Sequence, residues 1–326
     1  MMDTMRVVEM EGPGGPEVLR MGRRPVPEPR AHEVLVKVAA AGVNGPDMMQ
    51  RKGLYPPPPG ASDLMGLEIS GTVVACGTGV SGWSVGEAVC ALTDGGGYAE
   101  FCRVDAAHCL PIPAGVALRD AAGLPESFIT VWSNLFLEGG LHAGQTLLVH
   151  GGAGGIGTAA IQLGHAFGVR VIATDSPSAR CAACSELGAD RVVDYNTEDF
   201  VEVVRAAGGA DMILDIVGGP YIERNIRAAA AGGRIVQLAF NAGSKVEVNL
   251  MPVMLKRLVF TGSTLRTRPA AFKARCVVEL REQVWPKIAE GAIRTVTSEV
   301  FPLERTREAH RLMQEAGHTG KILLVP

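Results

Sequence analysis

LLVHGGAGGIG, residues 147–157, is the stretch whose reading decides the fold. A hydrophobic run, Thr146 to Val149, leads into a glycine cluster. Ile156, Ala159, Ala160, Leu163 and Phe167 then recur at helical period, so the pattern predicts a buried strand, a tight turn and a helix. Gly152, Gly154 and Gly157 stand in GxGxxG spacing, with Gly155 and Ile156 inside it. In such a motif the first glycine makes the turn and the second lets a pyrophosphate approach the backbone. The third lets the helix pack on the strand, so the helix's unpaired N–H groups face the phosphates. Among 41 glycines the spacing alone would be weak. Here a strand and a helix flank it, and Asp175 ends the next strand, 169–174. The stretch therefore reads as a dinucleotide site, against the plainer alternative of a Gly-rich turn.

The remainder of the chain sets bounds. Its 326 residues suffice for two domains with sizeable cores. A hydrophobic content of 47 % with a net charge of −3 gives no basic field to recruit nucleic acid or an anionic membrane. No apolar run approaches the ~18 residues of a membrane span, and the N-terminal residues lack a signal-peptide core. Seven cysteines without regular spacing read as reduced thiols, which implies a cytoplasmic protein. Cys181 and Cys184 form a C-x-x-C, but they fall in a helical pattern and read as small packing residues.

Residues 1–125 read as β-rich, with strand-like runs at Val34–Ala39, Ile69–Ala75, Ala88–Leu92 and Ala99–Val104. Residues 126–264 alternate: buried-strand runs near 146–149, 169–174, 191–193, 211–217, 234–239 and 258–261 are mostly separated by helical patterns. This predicts an α/β, doubly wound parallel sheet. Gly188 and the Gly232-Gly233 pair are expected to end helices, and Thr197 with Glu198 and Asp199 to cap one. Residues 265–326 hold two helical segments, Phe272–Glu282 and Glu304–Gln314, and a strand, Lys321–Val325. They are expected to return to the first domain.

Taken in order, AAGVNGPDMMQRKGLYPPPPGAS (40–62), GLEISGTVVACGTGV (66–80), GGGYAEFCRVDA (95–106), AAGLPESFITVW (121–132), HGGAGGIGTAAIQL (150–163) and FTGSTLRTR (260–268) resemble the medium-chain dehydrogenase/reductase superfamily. Within it the chain resembles the zinc-free, zeta-crystallin-like quinone oxidoreductases, nearest the subgroup of the p53-inducible quinone oxidoreductase. The resemblance implies a GroES-like catalytic domain built from 1–125 and 265–326. A Rossmann domain, 126–264, would be inserted into it, with NAD(P)H held between the two. Zinc-dependent relatives carry Cys and His where this chain has Asn44 and Leu67. Neither supplies a thiolate or imidazole, and Cys76, Cys90, Cys102 and Cys109 lack C-x2-C spacing, so no zinc is expected.

Without a Lewis acid the developing alkoxide of a simple alcohol has no stabiliser. An acceptor whose conjugated oxygen takes up the charge, a quinone or an α,β-unsaturated carbonyl, suits such a site better. The resemblance puts Asn44 and Tyr55 on the catalytic side. Asn44 would bond the nicotinamide ribose or polarise the acceptor; Tyr55 would present its phenol to the substrate oxygen. The plainer readings are a turn-forming asparagine before Gly45-Pro46 and a loop tyrosine packed on Pro56. A second tyrosine found in some relatives is Met49 here, and Asp47 reads as structural.

The resemblance also implies cofactor contacts from Thr130, Phe240, Asn241, Leu265, Arg266 and Lys321 at the nicotinamide end, and from Tyr195 near the adenosine. The family favours NADPH. Asp175, however, stands where NAD-specific enzymes bind both ribose hydroxyls, and it opposes Arg180, which holds the place of a phosphate-binding lysine. The balance leans to NADH. Other readings are an enoyl-thioester reductase, for which Arg51 and Lys52 are the one close basic pair expected at the cleft rim, and a non-catalytic cofactor- or RNA-binding protein, which the net charge disfavours. A homodimer is expected, with residues 258–265 forming a sheet edge that pairs across a two-fold axis.

Overall fold

The computed structural model describes residues 3–326 and divides them into two compact units. The first runs to Ile129 and resumes at Arg266; the second is Thr130–Leu265. The first unit contains β1 (Thr4–Met10), β2 (Leu19–Pro25), β3 (Glu33–Val43), α1 (Gly45–Arg51), β4 (Glu68–Cys76), β5 (Ala88–Leu92), β6 (Phe101–Asp105) and β7 (Cys109–Pro111). Helix α2 (Pro125–Val131) carries the switch to the second unit. There follow β8 (Thr146–His150), α3 (Gly155–Ala166), β9 (Arg170–Asp175), α4 (Ser178–Glu186), β10 (Arg191–Asp194), α5 (Phe200–Ala206), β11 (Ala210–Asp215), α6 (Tyr221–Ala228), β12 (Ala229–Gln237), α7 (Met251–Lys256) and β13 (Val259–Gly262). The chain then returns with α8 (Ala270–Glu279), α9 (Trp285–Ala289), β14 (Thr297–Pro302), α10 (Thr306–Glu315) and β15 (Lys321–Val325).

In the second unit six strands pair in the order β10-β9-β8-β11-β12-β13, every pair parallel. Strand β9 is reached from β8 through helix α3, and both strands run buried, as the continuous apolar runs predicted. The order reverses direction of growth at β8, so the carboxyl ends of β8, β9 and β11 open the crevice where open α/β sheets bind ligands.

The first unit is a seven-stranded mixed sheet, β14-β15-β3-β4-β5-β7, with β6 also paired to β3. Its core is aliphatic: Val34, Val36, Ile69, Val89, Ile322 and Leu324 are among its buried members. Strand β15 pairs parallel with β14 and antiparallel with β3, which brings Lys321 beside the first unit's longest strand.

Two joints differ from the sequence expectation. Helix α6 ends at Ala228, and Gly232-Gly233 lie inside β12. Gly232 adopts φ 78°, and the β11–β12 register slips between Ala210 and Met212, so the pair makes a bulge instead of a helix end. Asp199 alone is the N-cap of α5, its carboxylate accepting from Val201 N at 2.9 Å. Among the described residues no helix is long and apolar enough to cross a membrane.

Candidate active site

The glycine turn joins β8 to α3. Gly151, at φ 71°, takes the left-handed conformation one residue earlier than the motif suggested. Gly152 is demanded by packing: a Cβ there would lie 2.8 Å from Cys184 Sγ and 3.0 Å from Ala173 Cβ. At Gly157 it would come within 2.6 Å of the Gly152 backbone, so the third glycine seats the helix on the turn. Gly154 is different. A Cβ there meets nothing nearer than Gly151 O at 3.4 Å, so the protein's own packing does not require glycine. A ligand lying on the turn would. The first ladder bond of α3 runs from Thr158 N to Gly154 O, which leaves the N–H groups of Gly155, Ile156 and Gly157 outside the helical ladder. These features fit a pyrophosphate.

Asp175 and Arg180 form an ion pair. Asp175 is 2 % exposed; its Oδ1 accepts from Ser176 N (2.8 Å) and Arg180 Nε (2.7 Å), its Oδ2 from Ala153 N (2.7 Å) and Arg180 Nη2 (3.2 Å). The carboxylate thus ties the glycine turn to the start of α4. Tyr195 N donates to Asp175 O (3.4 Å), and burial together with the Asp175 charge pushes its phenol up. The fold brings these three residues, which the resemblance assigned to the adenosine end, into contact with one another.

Elsewhere in the second unit, Thr130 is buried and its Oγ1 has no hydrogen-bond partner, an uncommon condition for a buried hydroxyl. Gln237 Oε1, at the end of β12, shares it and was passed over in the sequence. Phe240 is exposed and lies near Gly218; Asn241 N donates to Ile216 O (3.3 Å). Leu265, half-buried, is the unit's last residue.

In the first unit the structure brings Asn44 and Lys321 together. The Lys321 ammonium donates to Asn44 Oδ1 (2.5 Å) and Ser127 Oγ (3.2 Å) and pairs with Glu68 Oε1 (2.6 Å). Asn44 Nδ2 donates to the same Glu68 oxygen at 2.9 Å, and Glu68 Oε2 accepts from Glu126 N at 2.8 Å. Both ends of the Asn44 amide are therefore engaged inside the unit. Glu68 was missed in the sequence, although a carboxylate beginning an apolar strand was a visible signal. Gly42 makes room for it, since a Cβ there would sit 2.6 Å from Glu68 Cδ. At the two positions expected from the resemblance to lack a thiolate and an imidazole stand the amide of Asn44 and the side chain of Leu67, with the Lys321 ammonium bonded to that amide. Among the described residues no group of three or more His, Cys, Asp and Glu side chains is arranged to hold a metal. That donor set does not fit zinc.

Asp47 is structural in its contacts: it accepts from Asn44 N (2.9 Å), Gly66 N (3.1 Å) and the Tyr98 hydroxyl (3.1 Å). Burial pushes its carboxyl up to about 6. Arg51 does not belong to a basic rim. It is fully buried, with Nη1 against His310 Nδ1 (3.1 Å) and Nη2 donating to Gln314 Oε1 (3.0 Å). His310 Nε2 faces the Tyr98 hydroxyl at 3.3 Å, and burial plus the Arg51 charge pushes the imidazole down to about 3.

Tyr55 and Arg266 also meet. The guanidinium carbon lies 5.7 Å from the ring centroid. Arg266 is buried; it donates to Asp94 O from Nε (2.9 Å) and Nη2 (2.5 Å) and to Gln50 Oε1 from Nη1 (2.8 Å). Burial raises the Tyr55 phenol above its ordinary value, and Arg266 opposes that rise.

Two family models match the chain: an alcohol dehydrogenase GroES-like domain over residues 30–114 and a zinc-binding dehydrogenase over residues 155–280. A quinone oxidoreductase of Rattus norvegicus is 28 % identical over 100 % of this chain and 98 % of its own length. The synaptic vesicle membrane protein VAT-1 homolog of the same organism is 31 % identical over 99 % of this chain and 84 % of its own. The structure of Escherichia coli quinone oxidoreductase complexed with NADPH superimposes with a TM-score of 0.88 at 26 % identity, covering 98 % of this chain and 100 % of that one. The GroES-like and Rossmann folds and the glycine turn define a medium-chain dehydrogenase/reductase, and the chain belongs to that superfamily, in its quinone oxidoreductase group.

Proposed function

We propose that the protein is an NAD(P)H-dependent, zinc-independent reductase that delivers hydride to a quinone or an α,β-unsaturated carbonyl. The observation that carries this reading is the Asn44–Lys321–Glu68 cluster: a fixed ammonium bonded to a carboxylate and to the amide of Asn44, the residue that the resemblance sets in place of a zinc-ligating cysteine. Such a site offers no Lewis acid for an alkoxide, and a conjugated acceptor needs none. The quinone oxidoreductase relatives and the NADPH-bound structure of one of them support the same choice.

The bound nicotinamide supplies the hydride. The open face of Gly154 and the α3 N–H groups of Gly155, Ile156 and Gly157 would hold its pyrophosphate, with Gly152 shaping the turn. Asp175, Arg180 and Tyr195 would flank the adenosine ribose. Thr130, with its unpartnered hydroxyl, would face the nicotinamide with Phe240, Asn241 and Leu265. Asn44 and Lys321 take a positioning role, since their polar atoms already bond one another. Tyr55 gives its proton to the acceptor oxygen; a phenol raised by burial stays protonated at neutral pH, ready to donate. Asp175 keeps a lean to NADH, moderated by Arg180.

Strand β13 is a parallel-sheet edge whose Val259 and Phe260 are 40 % and 47 % exposed, which supports a homodimer joined there. Seven free thiols suit the cytoplasm. The test is steady-state oxidation of NADH and NADPH by a small quinone in the presence of a chelator. Chelator-resistant turnover is expected. Absence of turnover with either cofactor overturns the reading and directs attention to enoyl thioesters, for which the burial of Arg51 already leaves little basic rim.

A further inference from the structure

We infer that Arg266 is a positioning residue for Tyr55: its buried guanidinium, bonded to neutral oxygens, supplies the positive charge against which the phenol gives up its proton. This rests on the reading of Tyr55 as the proton donor.

Three observations converge on it. First, the guanidinium donates to the Asp94 carbonyl and the Gln50 amide oxygen, neither of which cancels its charge. Second, the carboxylate of Asp94 is taken by another cation. Lys273, itself buried, pairs with Asp94 Oδ1 at 2.5 Å and donates to Arg266 O at 2.9 Å, fixing the backbone from which the guanidinium springs. Third, the phenol ring lies 5.7 Å from the guanidinium carbon. A cavity of about 430 Å³ borders Arg266, Lys273 and Asp94, and neither Tyr55 nor Asn44 lines it. Charged groups acting on Tyr55 include Arg266, Glu126 and Asp94. Arg266 favours the phenolate, while the two carboxylates and burial disfavour it. In the step itself the Tyr55 O–H bond breaks as an O–H bond forms on the acceptor, and the phenolate left behind is stabilised by Arg266 until solvent returns a proton.

The inference departs from the role the resemblance gave Arg266, that of a cofactor contact, and the two are separable. Tyrosinate absorbance of the cofactor-free protein, titrated in parallel with Tyr55→Phe, isolates Tyr55 among the four tyrosines. Arg266→Gln is expected to move the Tyr55 titration upward by ~1–2 pH units, and Arg266→Lys by less. Lys273→Met, which releases the Asp94 carboxylate, also moves it up. Asp94→Asn moves it down. Two variants of one ion pair acting in opposite directions cannot come from loosened packing. The alkaline limb of kcat should follow each shift, with KM for the nicotinamide cofactor changing less than about twofold. An unmoved Tyr55 titration in Arg266→Gln overturns the inference, as does a same-sign shift in Lys273→Met and Asp94→Asn. A cofactor KM raised about tenfold with no shift returns Arg266 to the cofactor. If Tyr55→Phe keeps full kcat, the proton-donor reading fails by itself, and the absorbance titration still judges Arg266.

Discussion

Asp175→Ser removes one charge from a pair whose members act with opposite sign on a phosphate at the ribose 2′ position. Asp175 Oδ1 lies 2.7 Å from Arg180 Nε, so such a phosphate meets both charges at comparable distance and they largely cancel. Without the carboxylate, Arg180 acts alone. At ~5 Å and an effective dielectric of ~20, one unit charge pair is worth ~3 kcal/mol. Salt with a Debye length of ~8 Å removes about half of that. The ~1.5 kcal/mol left is about tenfold, and a phosphate carrying nearly two charges brings the expectation to ~10–100-fold. The assay is kcat/KM for NADPH and NADH with one quinone. The NADPH/NADH ratio should rise by that factor, mainly through a lower KM for NADPH. Asp175→Asn, which keeps the shape and a carbonyl acceptor for Ala153 N, should act in the same direction. A ratio unchanged within about twofold, or one that rises solely because NADH turnover is lost, refutes the reasoning.

Other outcomes follow from the same geometry. Tyr55→Phe should lower kcat by ~10²-fold with cofactor KM unchanged, measured at saturating quinone; full activity would remove Tyr55 from the chemistry. His310, pushed down to about 3 from 6.5, contributes stability that is complete above pH 6.5 and is lost as pH falls toward 3. Its neighbour Asp47, pushed up to about 6, has the opposite sign: its stability is complete below 3.8 and is lost as pH rises through 6. The stability gap between the protein and His310→Gln in urea should therefore narrow by ~2 kcal/mol from pH 7 to pH 5, and a constant gap would contradict a neutral buried imidazole. Val259→Lys with Phe260→Glu should convert a dimer to a monomer in sedimentation; an unaltered dimer mass would place the interface elsewhere.

The parts of the fold carried by local pattern were legible in advance. Strand β8, the glycine turn and α3 follow from a run of apolar residues, three spaced glycines and a 3.6-residue period, all within neighbouring turns of chain. The Gly232-Gly233 pair was misread because glycine punctuates bulges as readily as helix ends, and the β11 partner that decides between them is distant in sequence. Charged side chains were the hardest. Arg51, Arg180, Arg266 and Lys321 all stood out as cations, yet what each does depends on Gln314, Asp175, Asp94 or Glu68, and three of these partners lie at a sequence separation no periodicity reports. The resemblance singled out these cations, and the fold shows which partners hold them.

The placement of β15 between β14 and β3 sets an order on assembly. The second unit is one continuous length of chain and can close as soon as β13 exists. The first unit cannot: its sheet lacks an interior strand, and Glu68 lacks its ammonium, until residues 321–325 have emerged. During synthesis, then, the cofactor-turn half is complete while the half bearing Tyr55 is still an open sheet with a buried carboxylate unpaired. Function waits on the last strand, and a chain stalled between residues 265 and 320 would present a finished nucleotide fold beside an exposed, aggregation-prone edge.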